Sequence, residues 1–435
     1  MNLFQNTSMQ FKLSPSPADF DVYLPWACQQ LEILYVLVIQ KTQAPQNLVK
    51  SRRSTISGNI KKVKIKTEEE MIPAGDPITS IKMQLKSDNA VIVKTFYDSA
   101  NNLTQVYFYK NNYVPDEILQ LMSLIVQFHA CLTTITIDSG LDQHGLYTIR
   151  KILSMSNITN VILDNTMIPQ AIYYLLLEGN HSLTYLSLSR CSLNDLAVEK
   201  IAKALVKFPL FVLNLSSNRI TDLGAMHFAN TLRTNRKLIH LNLAGNMITD
   251  DGAESILNTL MEFPLTKEEA KEKKMKYIDY LKKRKDLEIK KEHNFVTDIC
   301  LVSTKSTLFG DRKTQPNISY TISESKLDPF CETFTQNDLV VRDEVLYCLG
   351  NNILSNLNLA YNNISHRSVR RLYKVLCYQQ AMKRKPKGLI RVCIEGNKLP
   401  DKCKEFHEIS RILNTNMNIT PRPQRKSRII HHETN

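Results

Sequence analysis

The side chains of this 435-residue chain that could hold a metal or attack a substrate are nine cysteines and ten histidines. Either chemistry needs several of them to converge, and close spacing along the chain is the sign of convergence that a sequence carries. The cysteines, at 28, 131, 191, 300, 331, 348, 377, 393 and 403, are odd in number and form no CxxC pair. That is the pattern of reduced thiols rather than of a disulfide or zinc framework. Cys393 and Cys403 are the nearest pair, and no neighbouring His or Asp spacing makes a ligand set of them. His431 and His432 are the only adjacent histidines and lie in a basic polar tail. The chain contains neither HExxH nor the glycine-rich phosphate loops GxxxxGK[ST] and GxGxxG. The expectation is therefore a protein without catalytic, cofactor or metal residues.

Charge is the second candidate for function. The net +14 is concentrated in two segments. Residues 41–66 hold eight bases, among them Lys61, Lys62, Lys64 and Lys66, and no acid. Residues 367–391 hold nine bases, among them Arg370, Arg371, Lys383, Arg384, Lys385 and Lys387, again with no acid. Such segments suit anionic partners, including acidic protein tails and nucleic acid, or are simply a solvated linker and helix face. No aromatic side chains are interleaved with Lys61–Lys66 or Lys383–Lys387, which disfavours sequence-specific nucleic-acid recognition. The longest apolar run near the N-terminus, Ile33 to Ile39, falls far short of the roughly 20 residues that span a bilayer. No membrane span and no secretory leader are expected, and the compartment implied is the cytoplasm.

The elements that would position a surface follow from an internal repeat, LxxLxLxxNxL. Its best copies are Leu210–Leu213–Leu215–Asn218–Ile220 and Leu238–Leu241–Leu243–Asn246–Ile248. Leu183–Leu186–Leu188–Cys191–Leu193 places Cys in the Asn slot, and two copies lie downstream, Leu354–Leu357–Leu359–Asn362–Ile364 and Leu389–Val392–Ile394–Asn397–Leu399. Degenerate copies at Leu132–Gly140 and Ile158–Ile168 bring the alignment to seven. Period-two alternation turns Leu213 and Leu215 inward, and a helical pattern follows each Asn, with Asp222 placed to cap one such helix. The predicted fold is an α/β leucine-rich repeat horseshoe, a right-handed solenoid. Asn218, Asn246, Asn362 and Asn397 read as structural, their amides serving buried turn backbone. Thr136, Ile162, Ser187, Asn214, Asn242, Asn358 and Cys393 should line the concave face. Of these, Ser187, Asn214, Asn242 and Asn358 are the candidate protein contacts, on a surface that lacks Trp, Tyr or Arg anchors.

Spacing between repeats also marks an interruption. Successive copies are 26, 25, 27, 28, 116 and 35 residues apart, so roughly 88 residues are inserted between Leu260 and Leu354. Within them Thr266 and Glu269 have capping-box spacing, and acid-before-base pairs such as Glu272 and Lys276 predict a helix to Glu292, about 40 Å long. Residues 303–335 read as a loose loop, and the insertion as either inert or a docking arm. The domain division is then 1–88 as an N-terminal extension with a basic linker at 41–66, 89–131 as a cap, 132–264 as repeats one to five, 265–348 as insertion, 349–412 as repeats six and seven, and 413–435 as a basic tail. The cap should contain a hairpin, Val91–Tyr97 with Val106–Tyr109, and a helix from Pro115 to Phe128. Residues 18–40, with the only tryptophan, Trp26, read equally as helix or strand, and either dock on the body or bind a partner.

The strand pattern together with Gly224–Ala225 and Gly252–Ala253 in the helices resembles the ribonuclease-inhibitor class of leucine-rich repeats, over about residues 116–260 and 350–400. A closer resemblance, over roughly 90–410, is to a family of leucine-rich-repeat proteins of motile cilia. The hairpin, the degenerate first copies, the charged helix after Phe263–Pro264–Leu265–Thr266 and the late repeats bridged by Gln379–Gly388 occur in the same order. This resemblance implies a non-catalytic scaffold of the ciliary or flagellar axoneme, with axonemal proteins or acidic tubulin tails as partners. Two other readings compete. One is a GTPase-activating protein, since one class of activators resembles this horseshoe and uses a rim arginine, for which Arg219 is the candidate. Those activators carry an acidic tail, whereas residues 421–435 hold four bases and one acid. The other is a nuclear adaptor binding nucleic acid through the basic segments.

Overall fold

The computed structural model describes residues 14–43, 89–306, 338–400 and 403–417, with backbone alone for 287, 288 and 290–306. The described chain opens with helix α1 (Phe20–Gln30) and strand β1 (Val36–Gln43), then the hairpin β2 (Ala90–Tyr97) and β3 (Leu103–Phe108), then α2 (Asp116–Ile125). Strands and helices alternate from there: β4 (Thr134–Ile137), α3 (Gln143–Ser154), β5 (Asn160–Ile162), a 3-10 helix (Ile172–Leu177), β6 (Tyr185–Ser187), α4 (Asp195–Leu205), β7 (Val212–Asn214), α5 (Asp222–Thr234), β8 (His240–Asn242) and α6 (Asp250–Asn258). An interruption made of β9 (Phe263–Pro264), α7 (Lys267–Ser306), β10 (Leu339–Arg342) and β11 (Val345–Cys348) comes before β12 (Asn356–Asn358), α8 (His366–Met382), β13 (Arg391–Cys393) and α9 (Lys404–Asn416).

Ten of these strands form one sheet in the order β1-β2-β3-β4-β5-β6-β7-β8-β12-β13, parallel throughout except between β2 and β3. Each short strand buries its middle residue, as Leu213, Leu241 and Leu357 do, against apolar residues of the helices such as Phe228 and Leu232 of α5. One continuous core therefore runs along the helix-facing side of the sheet. Strand and helix units stacked on a parallel sheet are consistent with a solenoid.

Turning from each strand toward its helix leaves backbone groups that no ladder reaches, and the repeat asparagines meet them. Asn218 accepts through Oδ1 from the amides of Cys191 and Leu193, both at 3.0 Å, and its Nδ2 donates to the carbonyls of Leu188 and Leu215, both at 2.9 Å. Asn246 repeats this with the Ile220 amide and the Leu215 and Leu243 carbonyls. Asn362 does so with the Ile248 amide and the Leu243 and Leu359 carbonyls, and Asn397 with the Asn362 and Ile364 amides and the Leu359 and Ile394 carbonyls. Each amide thus ties its own turn to the preceding one. Where the slot holds Cys191, its thiol can donate to the Leu163 carbonyl (3.1 Å) but lacks an amide's paired donor and acceptor. The Tyr173 hydroxyl supplies the rest one turn earlier, donating to the Thr166 carbonyl (2.6 Å) and accepting from the Ile168 amide (3.2 Å).

A second ladder joins the helix starts, and it revises the role expected of Asp222. Thr221, not Asp222, caps α5. The Asp222 carboxylate instead reaches the next helix, accepting from the Thr249 amide (2.7 Å), the Thr249 hydroxyl (2.6 Å) and the Gly252 amide (3.0 Å). Asp195 does the same for Thr221 and Gly224, and Asp250 for Ser365 and Ser368. A carboxylate at the positive end of the following helix is favourable for both charge and hydrogen bonding. A side chain at Gly252 would collide with the Asp222 carboxylate and backbone, which accounts for the glycine there.

Residues assigned from sequence to an N-terminal extension are built into the body. Helix α1 buries Phe20, Leu24, Ala27 and Cys28, and the Phe20 ring meets His129 edge-on at 5.5 Å. Strand β1 pairs in parallel with β2 along its whole length, from Val36↔Ala90 to Gln43↔Tyr97. The insertion, by contrast, leaves the sheet unbroken: β8 pairs directly with β12, His240 opposite Asn356 and Asn242 opposite Asn358. Its ends close as a separate antiparallel sheet, β10-β11-β9, with Phe263 opposite Cys348. The capping box at the start of α7 forms as expected, Thr266 N to Glu269 Oε2 at 2.8 Å and Glu269 N to Thr266 Oγ1 at 3.1 Å. Helix α7 spans 40 residues, roughly 60 Å, and so exceeds the expected end at Glu292, because no glycine or proline follows until Gly310. Most of the expected loop at 303–335 lies outside the described residues.

Replacing Asn246 by Ala leaves the buried Ile220 amide without its acceptor, while the Leu215 and Leu243 carbonyls keep the donors of Asn218 and Asn362. The expected loss is about 1–3 kcal/mol for the amide left unpaired, measured as a lowered midpoint in urea unfolding followed by circular dichroism.

Candidate functional site

Side chains flanking each buried strand leucine point away from the helices, so the open face of the sheet carries two rows. Register places Gln105, Thr134, Asn160, Tyr185, Val212, His240, Asn356 and Arg391 in one row. Tyr107, Thr136, Ile162, Ser187, Asn214, Asn242, Asn358 and Cys393 make the other. The second row holds every position expected from sequence, but its members are not equally available.

Ser187 is 1% exposed. Its hydroxyl donates to Asp164 Oδ1 at 2.6 Å and accepts from Asn214 Nδ2 at 2.8 Å, so it offers nothing to a partner and is withdrawn as a contact residue. The same Asp164 oxygen accepts the Ser189 amide at 2.9 Å. Asn214, Asn242 and Asn358 each fold Oδ1 back onto the amide two residues on, at 3.2, 3.1 and 3.0 Å to Ser216, Ala244 and Ala360. This local turn fixes the side chain. It also leaves the Nδ2 groups of Asn242 and Asn358, neighbours in register, as preset donors on the open face.

The expectation of a face without aromatic or arginine anchors is corrected. Tyr107, Tyr185 and Arg391 occupy the rows, the first of them donating from its hydroxyl to Asp138 Oδ2 at 3.2 Å. The Tyr107 ring meets Tyr109 edge-on at 5.4 Å, and the Lys94 ammonium sits 3.5 Å from the centre of the Tyr109 ring. Burial, reinforced by Asp138, pushes the Tyr107 phenol up to about 12. Burial and then Asp164 raise that of Tyr185. Burial and then Arg391 lower the pKa of His240 and so favour its neutral imidazole. The face is therefore graded, with tyrosines, a lysine and carboxylates toward the hairpin and amides with an arginine toward β13. Such an arrangement recognises by directional hydrogen bonds and aromatic contact, as protein interfaces do.

The basic residues separate into two sorts. Lys61, Lys62, Lys64 and Lys66 lie outside the described residues. Arg384 is not an open contact: it donates to the carbonyls of Leu349 (2.9 Å) and Gly350 (2.8 Å) and pairs with Asp338, with its side chain 15% exposed. It fastens the end of the insertion to the following repeat. Arg371 donates to Asn258 Oδ1 at 2.7 Å, and Arg367 holds Glu254 through two bonds of 2.9 Å, so the start of α8 is tied to α6. Arg370, Lys383, Lys385 and Lys387 are exposed. Arg219, the rim candidate, is exposed beside Asn218.

With the geometry in hand, comparison with known proteins agrees on the repeat. The family model described as Leucine Rich repeat matches residues 179–202, 209–229 and 234–257, which cover β6 to α6 with little more. The chain carries leucine-rich repeats there, units that generally serve as non-catalytic modules of protein interaction. No curated protein matches the chain. Among the described residues, no helix is long and apolar enough to cross a membrane.

The division of the basic residues has a direct consequence. Arg384→Ala should destabilise the protein by about 1–3 kcal/mol because it removes the ion pair with Asp338 and the donor to the Gly350 carbonyl, Tyr378 still donating to Leu349, whereas Lys385→Ala should stay within about 0.5 kcal/mol of the parent. Equilibrium denaturation of the two variants side by side checks the contrast.

Proposed function

We propose that this protein is a non-catalytic interaction scaffold that uses the open face of its sheet. The observation that carries the reading is the row of amides. Asn242 and Asn358 are locked by their own backbone, lie in register on adjacent strands, and keep donors unspent among the described residues. In this reading the strands curve into a horseshoe of seven repeats with that face concave, capped by 89–131 and divided by the insertion into 132–264 and 349–412.

The finer assignment is a structural component of the ciliary or flagellar axoneme. It is supported by the order of features, which resembles leucine-rich repeat-containing protein 71, and by the exposed bases on and after α8, which suit acidic tubulin tails or neighbouring axonemal proteins. The long charged α7 supports a scaffold with more than one contact point, since 40 helical residues extend roughly 60 Å and its first turns are largely exposed.

The double substitution Asn242→Asp and Asn358→Asp keeps both acceptors for residues 244 and 360 and exchanges the outward donors for charge. In ciliated cells, the tagged parent protein should remain with the axoneme after detergent extraction. The double variant should be released at least about tenfold more readily, as expected for two lost hydrogen bonds. Complete extraction of the parent protein would overturn the axonemal assignment, and unchanged retention of the variant would overturn the role of the amide row.

A further inference from the structure

The last two helices bring together three side chains that are far apart in sequence and different in kind. His366 is the first residue of α8, Cys403 is the residue before α9, and Glu405 lies in the first turn of α9. Their ligand atoms all fall within 4.8 Å of one another. The Cys403 thiol donates to Glu405 Oε2 at 3.0 Å, and His366 Nε2 lies 3.2 Å from the same oxygen. Yet that nitrogen, buried from solvent, is outside hydrogen-bond geometry with any partner among the described residues. A thiol and an imidazole nitrogen of a part-exposed histidine thus converge on one carboxylate oxygen, an arrangement that a shared cation would satisfy.

We propose that His366, Cys403 and Glu405 form a zinc-binding site that staples α8 to α9. Ligands 2.0–2.3 Å from a tetrahedral zinc stand roughly 3.3–3.8 Å apart, a spacing that side-chain rotation reaches from this arrangement. Thiolate and imidazole are the donors that select zinc over magnesium or calcium, which prefer all-oxygen shells. Binding releases the thiol proton to solvent, so one thiolate and one carboxylate neutralise the dication, and the neutral imidazole completes three ligands. Charge balance matters here because two helix N-termini face the site. Their positive ends repel a bare cation but stabilise the anionic ligands that accompany it. A water or a partner's side chain takes the fourth position. The sequence reading of no metal residues rests on local spacing, which this site does not use. His366 lies 37 residues before Cys403, and only the stacking of the last two repeats makes them neighbours.

Cobalt(II) is a spectroscopic probe for such a site. Titration of the full chain should produce a thiolate-to-cobalt charge-transfer band that saturates at one ion per chain and is bleached by added zinc. The band should be lost in Cys403→Ser, lost or weakened at least about tenfold in His366→Gln, and unchanged in Cys131→Ser, which removes an exposed thiol elsewhere. Absence of the band, or its survival in Cys403→Ser, overturns the site. Should Cys403→Ser fail to fold by circular dichroism, undiminished cobalt affinity in His366→Gln overturns it instead.

Discussion

A buried backbone group must find a partner, and in this protein the repeat asparagine is what meets that demand. Every strand that hands over to a helix exposes amides and carbonyls to an apolar interior, where leaving them unpaired is costly. An amide side chain can donate and accept at once, so one residue satisfies its own turn and the previous one together. The stacking of Asn218, Asn246, Asn362 and Asn397 is therefore a chain of obligations running along the sheet. It explains how the protein tolerates its interruption. Asn362 reaches back to Leu243 and Ile248 across the insertion, and the parallel pairing of β8 with β12 follows from it.

The aspartates at the helix starts complement this on the other side of the core. Asp195, Asp222 and Asp250 each belong to one helix and serve the next, so strand exits and helix entries are both coupled between neighbours rather than within a unit. Between the two ladders the leucines are held in one orientation. What remains outward is a set of side chains whose spacing is dictated by the strands, which is why the open face can be preset for recognition. Toward the N-terminus the pattern relaxes. Cys191, Thr166 and Tyr173 share the work of one asparagine, and β1 extends the sheet beyond the hairpin by pairing with β2.

Much of this was legible in the sequence because the obligations recur at fixed intervals. The repeat pattern located the strands β4 to β8, β12 and β13, named the structural asparagines and placed the insertion, and the capping box at Thr266 and Glu269 marked the start of α7 to the residue. The failures share one cause, which is that they depend on contacts between segments remote in sequence. Nothing in residues 18–43 announces a parallel strand beside β2, since the pairing rests on a partner beyond residue 88. Asp222 looks like a local cap until its own helix proves to be served by Asp195. Ser187 looks like a surface residue until Asp164 and Asn214 are seen to enclose it. Arg384 belongs to a basic run in sequence and to a part-buried ion pair in space. The alternation rule marked one outward row and passed over the other, which is how Tyr185 and Arg391 escaped notice.

The central claim is that the sheet is one cooperative body on both sides of the insertion. Native-state hydrogen exchange tests it most directly, by comparing amides around β7 and β8 with those around β12 and β13. If the asparagine ladder runs through, Leu243, which donates to the Asn358 carbonyl at 2.9 Å, and Ile248, which donates to Asn362 at 3.1 Å, should be protected as strongly as Leu215 and Ile220. Protection that is high up to β7 and collapses at β8 and β12 would contradict the account and divide the protein into two separate units.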